Sequence, residues 1–121
     1  MALALITNGA AAPQRAKIRR FDLERHCGAV LIEGELGFGK PDGRVYETAL
    51  QRLGLSPDAV WAVGDNLEWD VAGPQRLGLT GVWHNYRCRG LPKGTRVRPD
   101  GIVSSLSELV RGVWGQSAQS R

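Results

Sequence analysis

Short apolar runs alternate with amphipathic stretches along almost the whole chain, and the runs are too brief to be anything but strands. Leu3–Thr7 is the first such run. Pro13 suits the first turn of a following helix, for which Ala16, Phe21 and Leu23 supply an apolar face up to about Leu23. Ala29–Ile32 reads as a second strand, and Glu33–Lys40, with its glycines, as a loop. From Asp42 to Leu53 the residues Val45, Tyr46, Ala49, Leu50 and Leu53 recur at helical spacing, and Gly54 is the expected stop. Ala59–Val63 is a third strand, Trp69–Leu77 a helix ending at Gly78, and Gly81–His84 a fourth strand. Residues 86–99 form a loop rich in Gly, Pro and Arg. Gly101–Val103 makes one more short strand, and Ser105-Leu106-Ser107-Glu108 has the capping-box pattern of a last helix. This alternation predicts a parallel α/β sheet with helices on both faces.

In such a sheet the chemistry gathers where strands end. Two strand exits and one helix start carry reactive side chains. Thr7-Asn8-Gly9 follows the first strand, Gly39-Lys40-Pro41-Asp42 precedes the long helix, and Gly64-Asp65-Asn66-Leu67-Glu68-Trp69-Asp70 follows the third strand. A hydroxyl, glycine-freed backbone N–H groups and an ammonium are the donors a phosphate needs. Two carboxylates at one strand exit suit a hard divalent cation. The alternative for each is local structure: a turn, a helix cap, a solvated acid. Asp42 is expected to cap its helix, Glu68 to be a solvated acid, Trp61, Trp69, Trp83 and Trp114 to pack, and His84 to be structural.

The ordered set of Thr7, Lys40 and Asp65 with Asp70 resembles the second, third and fourth motifs of the haloacid dehalogenase-like hydrolase superfamily, over roughly residues 3–110. The resemblance implies a three-layer α/β/α Rossmann-like parallel sheet and a core domain over 1–111, and the residues that follow, 112–121, read as a disordered tail. It implies that Thr7, Asn8, Gly9 and Lys40 bind a substrate phosphate, that Lys40 is catalytic in neutralising the charge of an aspartyl intermediate, and that Asp65 and Asp70 ligate Mg²⁺. It also implies an Asp-x-Asp strand supplying nucleophile and acid–base, and no Asp-x-Asp occurs in this sequence. The chain is therefore expected to be truncated or a shortened relative, with an incomplete core, weak or no Mg²⁺ binding and no turnover by itself. Within the family the phosphatase-like branch is favoured, acting on a small phosphorylated metabolite. A degenerate, non-catalytic binding or assembly module is the alternative. The strand of the missing motif would lie between Leu3–Thr7 and Ala59–Val63. Both are apolar strands without guarding charges, so a homodimer, a separate N-terminal segment or pairing of the two strands is expected to fill the gap.

Composition narrows the partners. The chain has 121 residues and a net charge of +4. No apolar run approaches the ~20 residues of a membrane helix. The apolar start lacks a basic leader and reads as a strand rather than a signal peptide. Cys27 and Cys88 are isolated and read as reduced thiols in a cytoplasmic setting. Basic residues cluster at Arg15, Lys17, Arg19, Arg20 and Arg25, and again at Arg87, Arg89, Lys93, Arg96 and Arg98. Both clusters read first as solvated surface and second as attractors of anions. No nucleic-acid-binding motif and no row of stacking aromatics accompanies them.

Overall fold

A computed structural model describes residues 1–111, with the side chains of Val110 and Arg111 left aside. The tail expected over 112–121, and Trp114 within it, lie outside the described residues. The chain forms two compact units, Met1–Ser56 and a second beginning at Pro57.

The first unit holds β1 (Ala4–Thr7), α1 (Ala11–Arg20), β2 (Ala29–Ile32), α2 (Glu33–Leu36) and α3 (Gly43–Leu53). β1 and β2 pair in parallel, with Ala4 opposite Ala29 and Thr7 opposite Ile32. α3 packs on both strands. The spacing that predicts α3 also describes its burial: Val45, Tyr46, Ala49 and Leu50 are all buried, against a sheet whose Leu31 and Ile32 are fully enclosed. Enclosing each of those two side chains stabilises the fold by about 1.5–3 kcal/mol. Asp42 caps α3 as expected, its Oδ1 accepting from the Arg44 N–H at 2.9 Å. The Arg44 guanidinium bonded to this carboxylate, together with that backbone N–H, holds Asp42 below the ordinary carboxylate pKa. Gly54 ends the helix at φ 69°, in the left-handed region that glycine enters without strain.

Two expectations fail in this unit. α1 stops at Arg20, so Phe21 and Leu23 fall beyond its end and are 63% and 36% exposed, and Ala16 is exposed as well. The residue that anchors α1 is Ile18, 3% exposed. The stretch read as a plain loop begins with a helical turn, α2, closed by Gly37 at φ 85°.

The second unit holds β3 (Trp61–Gly64), a π-helical segment Leu67–Ala72, α4 (Gly73–Gln75), β4 (Thr80–His84), β5 (Gly101–Val103) and α5 (Ser107–Arg111). Its sheet is parallel, in the order β3-β4-β5. Val63 lies opposite Val82, and Val82 opposite Gly101, so these positions and Val103 share one face. Leu109 of α5 covers that face. The other face meets the π segment and α4: a Cβ on Gly81 would lie 2.9 Å from Val71 O and 3.0 Å from Gln75 Cγ. Helices thus flank this sheet on both sides. Glu108 closes its capping box by accepting from the Ser105 N–H at 3.1 Å.

The helix expected over Trp69–Leu77 begins earlier and is not regular. Pro74 has no N–H to donate, so an α-helical ladder cannot run through it. The hydrogen bonding changes register ahead of it, from the π segment to α4. Trp61, expected to pack, is 54% exposed at the start of β3, and Trp69 is 40% exposed, whereas Trp83 is 8% exposed. β1 pairs with β2 and β3 with β4, in separate sheets, so pairing of β1 with β3, one of the three expected ways of filling the gap, is not the one the structure has. Among the described residues neither β1 nor β3 has a strand on its other edge.

Candidate functional site

In the first unit the Asn8 side chain bridges the end of β1 and the lysine loop. Its Nδ2 donates to Lys40 O at 2.9 Å, and its Oδ1 accepts from the Lys40 N–H at 2.9 Å. Two antiparallel amide bonds of this kind fix both position and orientation of the Lys40 backbone. Gly39 makes the approach possible, since a Cβ there would lie 2.6 Å from Asn8 Oδ1 and 2.9 Å from Glu33 Cδ. The Thr7 hydroxyl donates to Gln14 Oε1 at 3.2 Å. Gly9, at φ 121°, is a position only glycine takes up readily. Its N–H donates to Glu33 Oε1 at 2.9 Å, and its carbonyl accepts from the Gly34 N–H at 2.9 Å. Thr7, Asn8, Gly9 and Lys40 are therefore grouped at one end of the β1–β2 sheet. Reasoning from the sequence missed Glu33, whose carboxylate engages the Gly9 N–H. The signal was its place directly after β2, the strand exit beside that of β1.

In the second unit Asp65 and Asp70 are placed differently. Asp65 is exposed just past the end of β3, and its carbonyl accepts from Trp83 Nε1 at 3.0 Å. Asp70 is 8% exposed, the one buried charged residue among those described. Its Oδ2 accepts from the Asn66 N–H at 3.0 Å, while the Asn66 carbonyl accepts from the Asp70 N–H at 2.8 Å. Asn66 Oδ1 accepts from the Trp69 N–H at 2.9 Å and caps the π segment. The Asp70 carboxyl lies against the backbone of Gly64, where a built Cβ would fall 2.5 Å from Asp70 Cβ. Trp83 and Gly64, expected only to pack and to turn, thus position the two acids.

Asp65 and Asp70 offer hard oxygen donors of the kind that suit Mg²⁺, and one Asp70 oxygen is already engaged by Asn66. No group of three or more His, Cys, Asp or Glu side chains able to hold a metal occurs among the described residues. The fit is thus to a partial site, one that needs further ligands. His84 is half-buried, with its ring 5.7 Å from that of Tyr86, and Glu68 is exposed and ion-paired with Arg76. No described helix is long and apolar enough to cross a membrane.

Parallel strands with flanking helices, a threonine at one strand exit, a lysine ahead of a helix and an Asp-x4-Asp at another strand exit are the pattern of one hydrolase class. The model of the haloacid dehalogenase-like hydrolases matches residues 2–78. The phosphoserine phosphatase of Thermus thermophilus is 42% identical over 109 residues, which cover 90% of this chain and 43% of that protein. The pyrimidine 5'-nucleotidase YjjG of Escherichia coli is 36% identical over 109 residues, covering 88% and 47%. Among solved structures, a 2-haloacid dehalogenase from Pseudomonas syringae superposes with a TM-score of 0.80 at 31% identity, over 93% of this chain and 46% of that one. The chain belongs to the haloacid dehalogenase-like hydrolase family and has its Rossmann-like α/β fold. It spans about half the length of the relatives it matches.

The packing of Asp70 on Gly64 generates a direct test. Gly64→Ala should destabilise the fold by about 1–3 kcal/mol, the usual cost of overpacking. Gly90→Ala, where a Cβ meets nothing within 4 Å, should stay within about 0.5 kcal/mol of the parent. Denaturant unfolding of the two variants measures the difference.

Proposed function

We propose that this chain is the phosphate- and metal-binding part of a haloacid dehalogenase-like phosphohydrolase, whose whole form hydrolyses a phosphate ester of a small metabolite with Mg²⁺. Its anion ligands are the Thr7 hydroxyl, the Asn8 backbone, the Gly9 N–H once it is released from the Glu33 carboxylate, and Lys40, the charge-neutralising catalytic group. Asp65 and Asp70 are its metal ligands. The observation that carries this reading is the two-bond clamp between Asn8 and Lys40, which sets the lysine loop beside the threonine strand exit. A relative that is a phosphoserine phosphatase at 42% identity supports phosphate as the substrate group.

In this reading the residues act by binding and orientation. The Thr7 hydroxyl, once turned from Gln14, donates to a phosphate oxygen, and the Lys40 ammonium offsets negative charge. The buried Asp70 fixes the Asn66 turn and so the direction in which Asp65 leaves β3. Asp65 and Asp70 would hold Mg²⁺, which when bound would supply a Lewis-acid positive charge, and with one or two protein carboxylates it binds poorly. Covalent phosphoryl transfer needs a nucleophile. The sequence holds no Asp-x-Asp, so this chain alone is proposed to be inactive.

The purified chain, assayed with Mg²⁺ and an aryl phosphate, should show no turnover above background. Inorganic phosphate should bind weakly and shift the amide resonances of Thr7, Asn8 and Lys40, an effect reduced in Lys40→Ala. Robust turnover abolished by Asp65→Asn and Lys40→Ala would contradict the first statement. Phosphate shifts confined to other residues would contradict the second.

A second reading, an assembly module, is favoured by the edges of β1 and β3. All four residues of β1 are half-buried, and β3 is exposed or half-buried throughout, although their sequences are as apolar as interior strands. Such edges invite pairing with another chain. Light scattering over a concentration series should then show dimers, and a monodisperse monomer at high concentration would exclude this reading.

A further inference from the structure

The second basic cluster, which reads in sequence as a solvated loop, does not stay within its loop. In the second unit an open cleft of about 400 Å³ is lined by Arg96 and Arg98 from the segment before β5 and by Arg76 from the end of α4. Neither Asp65 nor Asp70 lines it. Glu68 is its sole carboxylate, and that is ion-paired with Arg76. Arg98 donates from one guanidinium nitrogen to Thr95 O and Val97 O at 3.1 and 3.2 Å, and its other nitrogens make no hydrogen bond among the described residues. Arg96 has no ion-pair partner among them. The cleft therefore carries two more positive charges than negative.

The backbone that presents these arginines is held in place. Gln75 Nε2 of α4 donates to Arg98 O at 2.8 Å and to Asp100 Oδ2 at 3.0 Å. The same Asp100 oxygen accepts from the Gly81 N–H at 2.8 Å, and the Gly81 carbonyl accepts from the Asp100 N–H at 2.8 Å. Val97 N–H donates to Thr95 Oγ1 at 3.2 Å. A loop so tied to β4 and α4 needs little ordering when a ligand arrives. Guanidinium forks match phosphate oxygens in pairs. The volume lies within the range of small-ligand sites. The apolar lining is Ala72 and Val97, and among the described residues no aromatic side chain lines the cleft as a platform for a base.

We propose that this cleft binds a pyrophosphate group, either free or as the tail of a nucleoside diphosphate, with Arg96 and Arg98 as its principal ligands and Arg76 as a third that Glu68 partly screens. With no aromatic in the lining, the phosphates carry the recognition and a base adds nothing. The proposal is independent of the reading of Thr7, Lys40 and the two aspartates.

Titration calorimetry of the full chain at low ionic strength, with inorganic pyrophosphate and separately with ADP, tests it. One saturable site is expected, with the two probes within about threefold of each other, since stacking contributes nothing. Arg96→Ala with Arg98→Ala should weaken pyrophosphate about fivefold or more, in line with exposed charge pairs. Glu68→Gln should tighten it. Amide shifts should fall on Gln75, Val97 and Arg98. Absence of saturable binding, unchanged affinity in both the double variant and Glu68→Gln, ADP binding far more tightly than pyrophosphate, or shifts confined to Thr7, Asn8 and Lys40 would each overturn the proposal.

Discussion

Two hydrogen bonds from one asparagine side chain set the arrangement on which the first unit depends. A two-stranded sheet is marginal by itself, and the stretch from β2 to α3 must fold back across the end of β1 to let α3 lie on the strands. The Asn8 amide provides a donor and an acceptor to the backbone of Lys40, each at 2.9 Å. The Glu33 carboxylate and the Gly34 N–H add a donor–acceptor pair to Gly9. These four bonds give partners to the Lys40 and Gly9 backbone groups, as half-buried polar groups require. The glycines are the other half of the device. A Cβ on Gly34 would lie 2.5 Å from Ala11 N, and one on Gly39 2.6 Å from Asn8 Oδ1. Small residues let the backbones come close enough for the side chains of Asn8 and Glu33 to reach across.

The second unit solves the same problem with the parts exchanged. There a buried carboxylate, Asp70, reaches back to the turn that precedes it, and Gly64 supplies the space. A buried charge is costly unless hydrogen-bonded. The Asn66 N–H meets one oxygen of Asp70, and Asn66 in turn caps the π segment that carries Asp70. Trp83, from the neighbouring strand, holds the Asp65 carbonyl and ties the exposed acid to a buried ring. Strand exit, turn and helix start are thus one hydrogen-bonded piece. That explains why the acids occur with glycine before them and asparagine between them.

The parts of this fold legible from sequence were those set by short-range pattern. α3 and β2 appear where the apolar spacing puts them, because α3 has one apolar stripe and β2 is apolar on both faces, as a parallel strand should be. α1 was placed but its buried face was misread. It carries few apolar residues, and the helix ends before Phe21, so that ring lies at the surface beside the Arg20 guanidinium. The irregular helix after Asp65 was legible in principle, since Pro74 stands in the middle of the run. The residues grouped at the strand exits were named from the order of motifs. Their partners were not: Glu33 and Trp83 act through hydrogen bonds to residues far away in the chain, and no periodicity in one sequence encodes such pairs. The approach of Arg76 to Arg96 and Arg98 was hidden for the same reason.

The central claim is that the Asn8 side chain, rather than chain connectivity, holds the lysine loop at the end of β1. Amide hydrogen exchange at Lys40 in Asn8→Ala measures this most directly, with β4 amides of the second unit as the internal reference. The account predicts that Lys40 protection falls about tenfold, as loss of a hydrogen bond of ~1.4 kcal/mol requires, while the reference amides are unchanged. Unchanged protection at Lys40 in a folded variant would contradict it.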